Sequence, residues 1–146
     1  MPPVVRRYIK TSFIFFFLGL LVGAFITVNQ GFLGREVPFL LIVAHTHVLL
    51  VGFVLMMVIG VATWMFPRLT QGDTRYRPGM AEAIYWIMTL STALRFAAEI
   101  LGAYRPGSGF KLLVTVGGLG QLLAGFLFVL NMWARVRAPS IISGKT

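Results

Sequence analysis

The chain has no cysteine. That absence excludes disulfides, thiolate metal sites, iron–sulfur clusters and covalent c-type haem attachment through Cys-x-x-Cys-His. Histidine is nearly absent too, with only His45 and His47 in 146 residues. Charged residues make up 12% of the chain, about half the share in soluble domains, and hydrophobic residues 58%. A mean hydropathy of +0.85 completes the composition of an integral membrane protein. Acids are scarce, four against thirteen lysines and arginines, which leaves a net charge of +9. In a soluble protein that balance would point to nucleic acid. Here the basic residues flank apolar runs, so they read as topology determinants and contacts for anionic lipid, and nucleic acid is not expected as a partner. No serine or threonine is paired with a base and there is no phosphate-binding loop, so hydrolysis and group transfer have no support.

What is present is a series of apolar runs long enough to cross a bilayer, at about 20 residues each. They predict an all-α membrane protein with four transmembrane helices in one domain, residues 1–146. The spans are expected near 11–29, 37–66, 82–103 and 112–133. The N-terminal segment Met1–Lys10 runs into the first span without a small-residue cleavage site, so it is expected to be a retained span and not a signal peptide. Gly19 and Gly23 form a Gly-x-x-x-Gly pair that lets another helix approach. The second span has proline in its first turn, Pro38, where a missing N–H costs little. The third is the only span with charges well inside it, Arg95 and Glu99. The fourth carries Gly117, Gly118, Gly120 and Gly125, with Gln121 and Asn131 as polar insertions.

Orientation follows from lysine and arginine. Arg6, Arg7, Lys10, Arg68, Arg75, Arg77, Arg135, Arg137 and Lys145 fall on one side, and Arg35, Arg105 and Lys111 on the other. This places both termini in the cytoplasm, in a bacterial or archaeal cytoplasmic membrane. At 1.5 Å per residue, His45 and His47 lie about 12–15 Å below the outer end of span two, and Arg95 about 12 Å below the same face. The three residues are expected at one level, with Glu99 one turn nearer the outside.

Two imidazoles in hydrocarbon are costly unless they bond to something. Residues i and i+2 of a helix point about 200° apart, so His45 and His47 cannot grip one metal ion from the same helix. They can serve two sites, one on each flank. A structural role is the plain alternative: a membrane histidine bonds a neighbouring carbonyl, and Arg95 and Glu99 at i, i+4 neutralise each other. The functional alternative is haem, with neutral imidazole as axial ligand. Gly52, seven residues after His45 and on nearly the same face, would leave room for a porphyrin edge, and Gly60 would continue that thin stripe. Arg95 would receive an anionic propionate. The methionines, Met56 and Met57 among them, read as packing.

The run His45-Thr46-His47-Val48-Leu49-Leu50-Val51-Gly52-Phe53, with Met56, Gly60 and the closing Trp64-Met65-Phe66-Pro67-Arg68, resembles one helix of the haem-copper oxidase catalytic subunit. It is most similar to the C-family (cbb-type) enzymes and their nitric oxide reductase relatives. The resemblance covers about 25 residues. It implies that His45 matches the ligand of the high-spin haem and His47 that of the low-spin haem, on opposite flanks of the helix. The departures are large. The family's subunit has twelve helices where four are expected here, and no further histidine supplies copper ligands or a second low-spin ligand. A complete oxidase is therefore not expected from this chain alone.

Oligomerisation would repair part of that deficit. The large subunit is an approximately threefold arrangement of four-helix units, so a homotrimer of this chain would resemble it, each interface placing His47 of one copy opposite His45 of the next around a haem b. A homodimer is the fallback, and a hetero-complex with a larger subunit is a third option. The expected function is electron transfer by a membrane haem b protein, with a respiratory donor or acceptor as redox partner. A cofactor-free accessory subunit of a respiratory complex, and a five-coordinate haem protein that binds or reduces a diatomic gas, stay open as alternatives.

Overall fold

The computed structural model describes residues 1–66, 78–105, 107–133 and 135–136. The basic connection and tail that carry Arg68, Arg75, Arg77, Arg137 and Lys145 lie outside the described residues. Within them the chain is helical, with four helices long and apolar enough to cross a membrane. We label them α1 (Pro3–Phe32), α2 (Phe39–Met65), α3 (Pro78–Tyr104) and α4 (Ser108–Trp133).

α1 begins ahead of the apolar run, at Pro3, because proline fits the first helical position and Arg6, Arg7 and Lys10 are good helix formers. Its last turn, Val28–Phe32, widens to π-helical bonding before the chain reverses. That reversal uses Gly34 at φ +61°, a left-handed conformation that glycine adopts without a Cβ clash. Pro38 then precedes α2 as its N-cap, and the 27 residues of α2 span about 40 Å, longer than a hydrocarbon core of about 30 Å.

α2 is not uniform. Residues Val48–Leu55, immediately after His47, bond in the π pattern, between α-helical stretches Phe39–His47 and Met56–Met65. The sequence bears no mark of it, since π segments carry no signature comparable to proline; they do recur at functional sites.

Close packing depends on small residues, as it must where lipid removes the hydrophobic drive between helices. A Cβ on Gly19 would meet the Leu49 side chain, and one on Gly60 would lie 2.8 Å from Tyr8 Cβ, so α1 and α2 touch along their length. α3 and α4 meet through Gly117 and Gly120, where a Cβ would lie 2.7 Å from Arg95 Cβ and Ser91 Cβ respectively. α4 packs chiefly on α3, and α3 joins α2. The apolar core gathers Tyr8, Phe15, Val48, Met56, Ile84 and Met88, with the Tyr8 and Tyr85 rings edge to face at 5.1 Å.

The helix ends confirm the up-and-down order. Arg7 pairs with Glu82 at the starts of α1 and α3. Arg135, just past α4, donates to the carbonyls of Thr63 and Phe66 and so caps the C-terminus of α2.

Candidate functional site

Packing sends the two histidines to different neighbours. His45 faces α1. Its ring lies over Gly23, where a Cβ would come within 2.6 Å of Cε1, and its Nδ1 is 2.9 Å from the carbonyl oxygen of Gly19. A carbonyl can only accept, so Nδ1 carries the proton and Nε2 keeps its lone pair. No described residue bonds to that Nε2. The half-buried ring borders a groove of about 650 Å³ between α1 and α2, lined also by Leu20, Gly23, Thr27, Gln30 and Ile42. The Gly-x-x-x-Gly pair thus does two things: it admits α2, and it seats the imidazole.

His47 faces α3. Its Nδ1 is 3.0 Å from Glu99 Oε1 and its Nε2 is 2.9 Å from Nη2 of Arg95. A carboxylate accepts and a guanidinium donates, so the tautomer follows again: Nδ1–H donates to Glu99 and Nε2 accepts from Arg95. Arg95 also donates from Nε to Glu99 Oε1 at 2.9 Å and from Nη1 to Gln121 Oε1 at 3.1 Å. Gln121 passes the chain on to Thr92. Glu99 is fully buried, Arg95 is 20% exposed and His47 30%. One cation and one anion with a neutral imidazole leave the cluster without net charge, which a low-dielectric site requires. One atom is left over, since Glu99 Oε2 is buried with no hydrogen-bond partner.

The depth estimate brought Arg95 and His47 to one level, and they are in contact. Glu99, expected one turn further out, closes the same cluster. Gln121 was visible only as a polar insertion; the signal for its role was its place one turn beyond Gly117, where the helices come closest. Gly52 and Arg95 differ from their expected uses. The space beside Gly52 is filled by Phe15, whose Cγ would lie 2.8 Å from an added Cβ, and the gap at Gly60 by Tyr8. Those glycines seat α1 side chains and leave no slot for a porphyrin edge. Arg95 spends its donors on Glu99, His47 and Gln121, not on the α1–α2 groove.

Both imidazoles therefore hold Nδ1–H on a fixed acceptor; His45 borders the groove, and Nε2 of His47 accepts from Arg95. Among the described residues no group of three or more His, Cys, Asp or Glu could hold a bare metal ion.

Compared with known proteins, residues 3–145 match the family described as Cytochrome C and Quinol oxidase polypeptide I. No curated protein and no solved structure matches the chain.

Proposed function

The chain belongs to the cytochrome c and quinol oxidase polypeptide I family, and on that premise we propose that it is a membrane-embedded b-type haem protein that transfers electrons. His45 would hold the haem. The observation that carries this reading is the bond from His45 Nδ1–H to the Gly19 carbonyl, which fixes the ring at the groove it lines and leaves Nε2 without a partner among the described residues. Neutral imidazole is the donor type haem iron takes, and a groove of about 650 Å³ is within the usual range for cofactor sites, about 300–1,000 Å³. Bound haem would supply one-electron exchange at its iron. The chain's own part is to hold the imidazole in one tautomer and to line the site, with Leu20 and Ile42 beside Thr27 and Gln30.

The groove is built by two helices of one copy, and His47 lies on the opposite flank of α2. We place the second axial ligand, His47, on a neighbouring copy in a closed ring, a homotrimer, in the cytoplasmic membrane of a bacterium or archaeon. Heterologous interfaces of this kind must close or they form fibres. In that assembly Nε2 of His47, bonded to Arg95 in the single copy, would be the atom that holds the neighbour's haem, and Arg95 would be the cation for a propionate.

One observation favours a second reading. Within a single copy the His47 Nε2 is already taken by Arg95 at 2.9 Å. If that bond persists, His45 would be the one protein ligand to the haem, and the chemistry supplied would be the binding of a diatomic gas. Purification from haem-sufficient cells, with haem extraction and a carbon monoxide difference spectrum, separates the readings. Electron transfer predicts one extractable haem b per chain, no response to carbon monoxide, and loss of the six-coordinate spectrum in both His45→Ala and His47→Ala. Gas binding predicts a carbon monoxide response that His47→Ala leaves unchanged. Unaltered haem in His45→Ala overturns both.

A further inference from the structure

At the opposite side of the bundle from the His45 groove, the outer ends of α2, α3 and α4 leave a cleft of about 370 Å³. Leu40, Gly102, Gly107, Phe110 and Val114 give it an apolar wall, and Lys111 stands among them. The glycines make the cleft: at Gly102 an added Cβ would press on Leu40 Cδ2 at 3.2 Å and Phe110 Cβ at 3.3 Å. Among the described residues no acid lines it. Arg105 ends the same turn, two residues from Gly107, and is exposed, as is Lys111. Among the described residues, neither cation is in an ion pair; the pairs present are Arg7–Glu82 and Arg95–Glu99. The first turn of α4 holds no acid either, so the positive end of its dipole meets no counter-charge within the helix.

We propose that this cleft binds an anionic phospholipid, its acyl chain lying against Leu40, Phe110 and Val114 and its phosphate on Lys111 and Arg105. The assignment rests on charge complementarity at membrane depth. The cleft opens where an apolar span meets the headgroup layer, and two unpaired cations there attract an anion. A zwitterionic headgroup also has a phosphate, but its ammonium finds no carboxylate in this cleft. A soluble anion would leave the apolar wall bare. The inference does not depend on haem, since α1 and both histidines take no part in the cleft.

Native mass spectrometry of the full-length protein, delipidated in detergent and titrated with phosphatidylglycerol or phosphatidylcholine of the same chain length, tests it. The expected result is retention of phosphatidylglycerol at least about tenfold more strongly than phosphatidylcholine, at about fivefold per cation near the headgroup layer. Lys111→Gln with Arg105→Gln should abolish the discrimination. Val114→Trp, which fills the cleft and leaves both cations, should lower binding of both lipids. The substituted side chains at 105 and 111 are exposed, and unchanged helical melting would show that the variants fold. Equal retention of the two lipids by the wild type overturns the proposal, as does an unaffected phosphatidylglycerol adduct in the double variant. Loss of binding in the double variant with Val114→Trp unchanged also overturns it, because the anion would then sit on surface cations without the cleft.

Discussion

Replacing Arg95 by leucine tests whether the charged cluster behind His47 holds the helices together. Arg95 makes three hydrogen bonds, to Glu99, His47 and Gln121, and its loss leaves the Glu99 carboxylate fully buried with His47 alone for a partner. Breaking a buried pair from one side costs about 3–5 kcal/mol, because the stranded charge keeps its desolvation penalty. Removing both sides, as Arg95→Leu with Glu99→Leu, leaves no buried charge, only His47 and Gln121 without these partners, and should cost clearly less than Arg95→Leu alone. The double-mutant cycle is therefore predicted to show a coupling of about 2 kcal/mol or more, well above the average of about 0.6 kcal/mol for hydrogen bonds between membrane helices. Reversible unfolding in mixed micelles at increasing dodecyl sulfate, followed by helical circular dichroism, gives all four free energies. A single-variant cost below about 1 kcal/mol, or additive singles, would refute the claim that this is a desolvated, mutually dependent charge cluster.

Two further substitutions probe the packing that aims the imidazoles. Gly23→Ala puts a methyl 2.6 Å from Cε1 of His45, so the ring must move and its bond to Gly19 is lost. We expect about 1–3 kcal/mol of overpacking, and a several-fold fall in haem content read from the Soret absorbance of purified protein. Gly117→Ala drives a Cβ to 2.9 Å from the Ser91 carbonyl, which is backbone and cannot yield, so α3 and α4 should separate at a cost of about 1–3 kcal/mol. Gly125→Ala, with nothing near an added Cβ, should be neutral or stabilising by up to about 1 kcal/mol in the same unfolding assay.

Much of this arrangement was legible in the sequence, and the limits have physical causes. The opposed directions of His45 and His47 follow from helical periodicity alone, and the structure sends one to α1 and the other to α3. Depth counting brought Arg95 to His47 because helices that cross the same slab share one ruler. The bonds of a plain structural role are present as well: His45 does bond a carbonyl, and Arg95 and Glu99 do pair. What could not be read was which neighbour fills a gap. Gly52 and Gly60 mark places where something comes close, but a missing side chain does not say whether Phe15, Tyr8 or a cofactor enters. Gly117 and Gln121 had the same ambiguity, since a glycine-rich helix has no single face that its composition selects. The π-bonded stretch after His47 has no marker residue in the sequence.

The central claim is that His45, held by Gly19, binds haem from the α1–α2 groove. Its most direct test is the absorption spectrum and extractable haem content of the purified protein beside those of His45→Ala made in the same haem-sufficient cells. The account predicts a Soret band and one non-covalent haem b per chain in the wild type, with both lost in His45→Ala while the helical melting curve stays near that of the wild type. A colourless wild-type protein, or a His45→Ala variant with the wild-type spectrum and haem content, would contradict it.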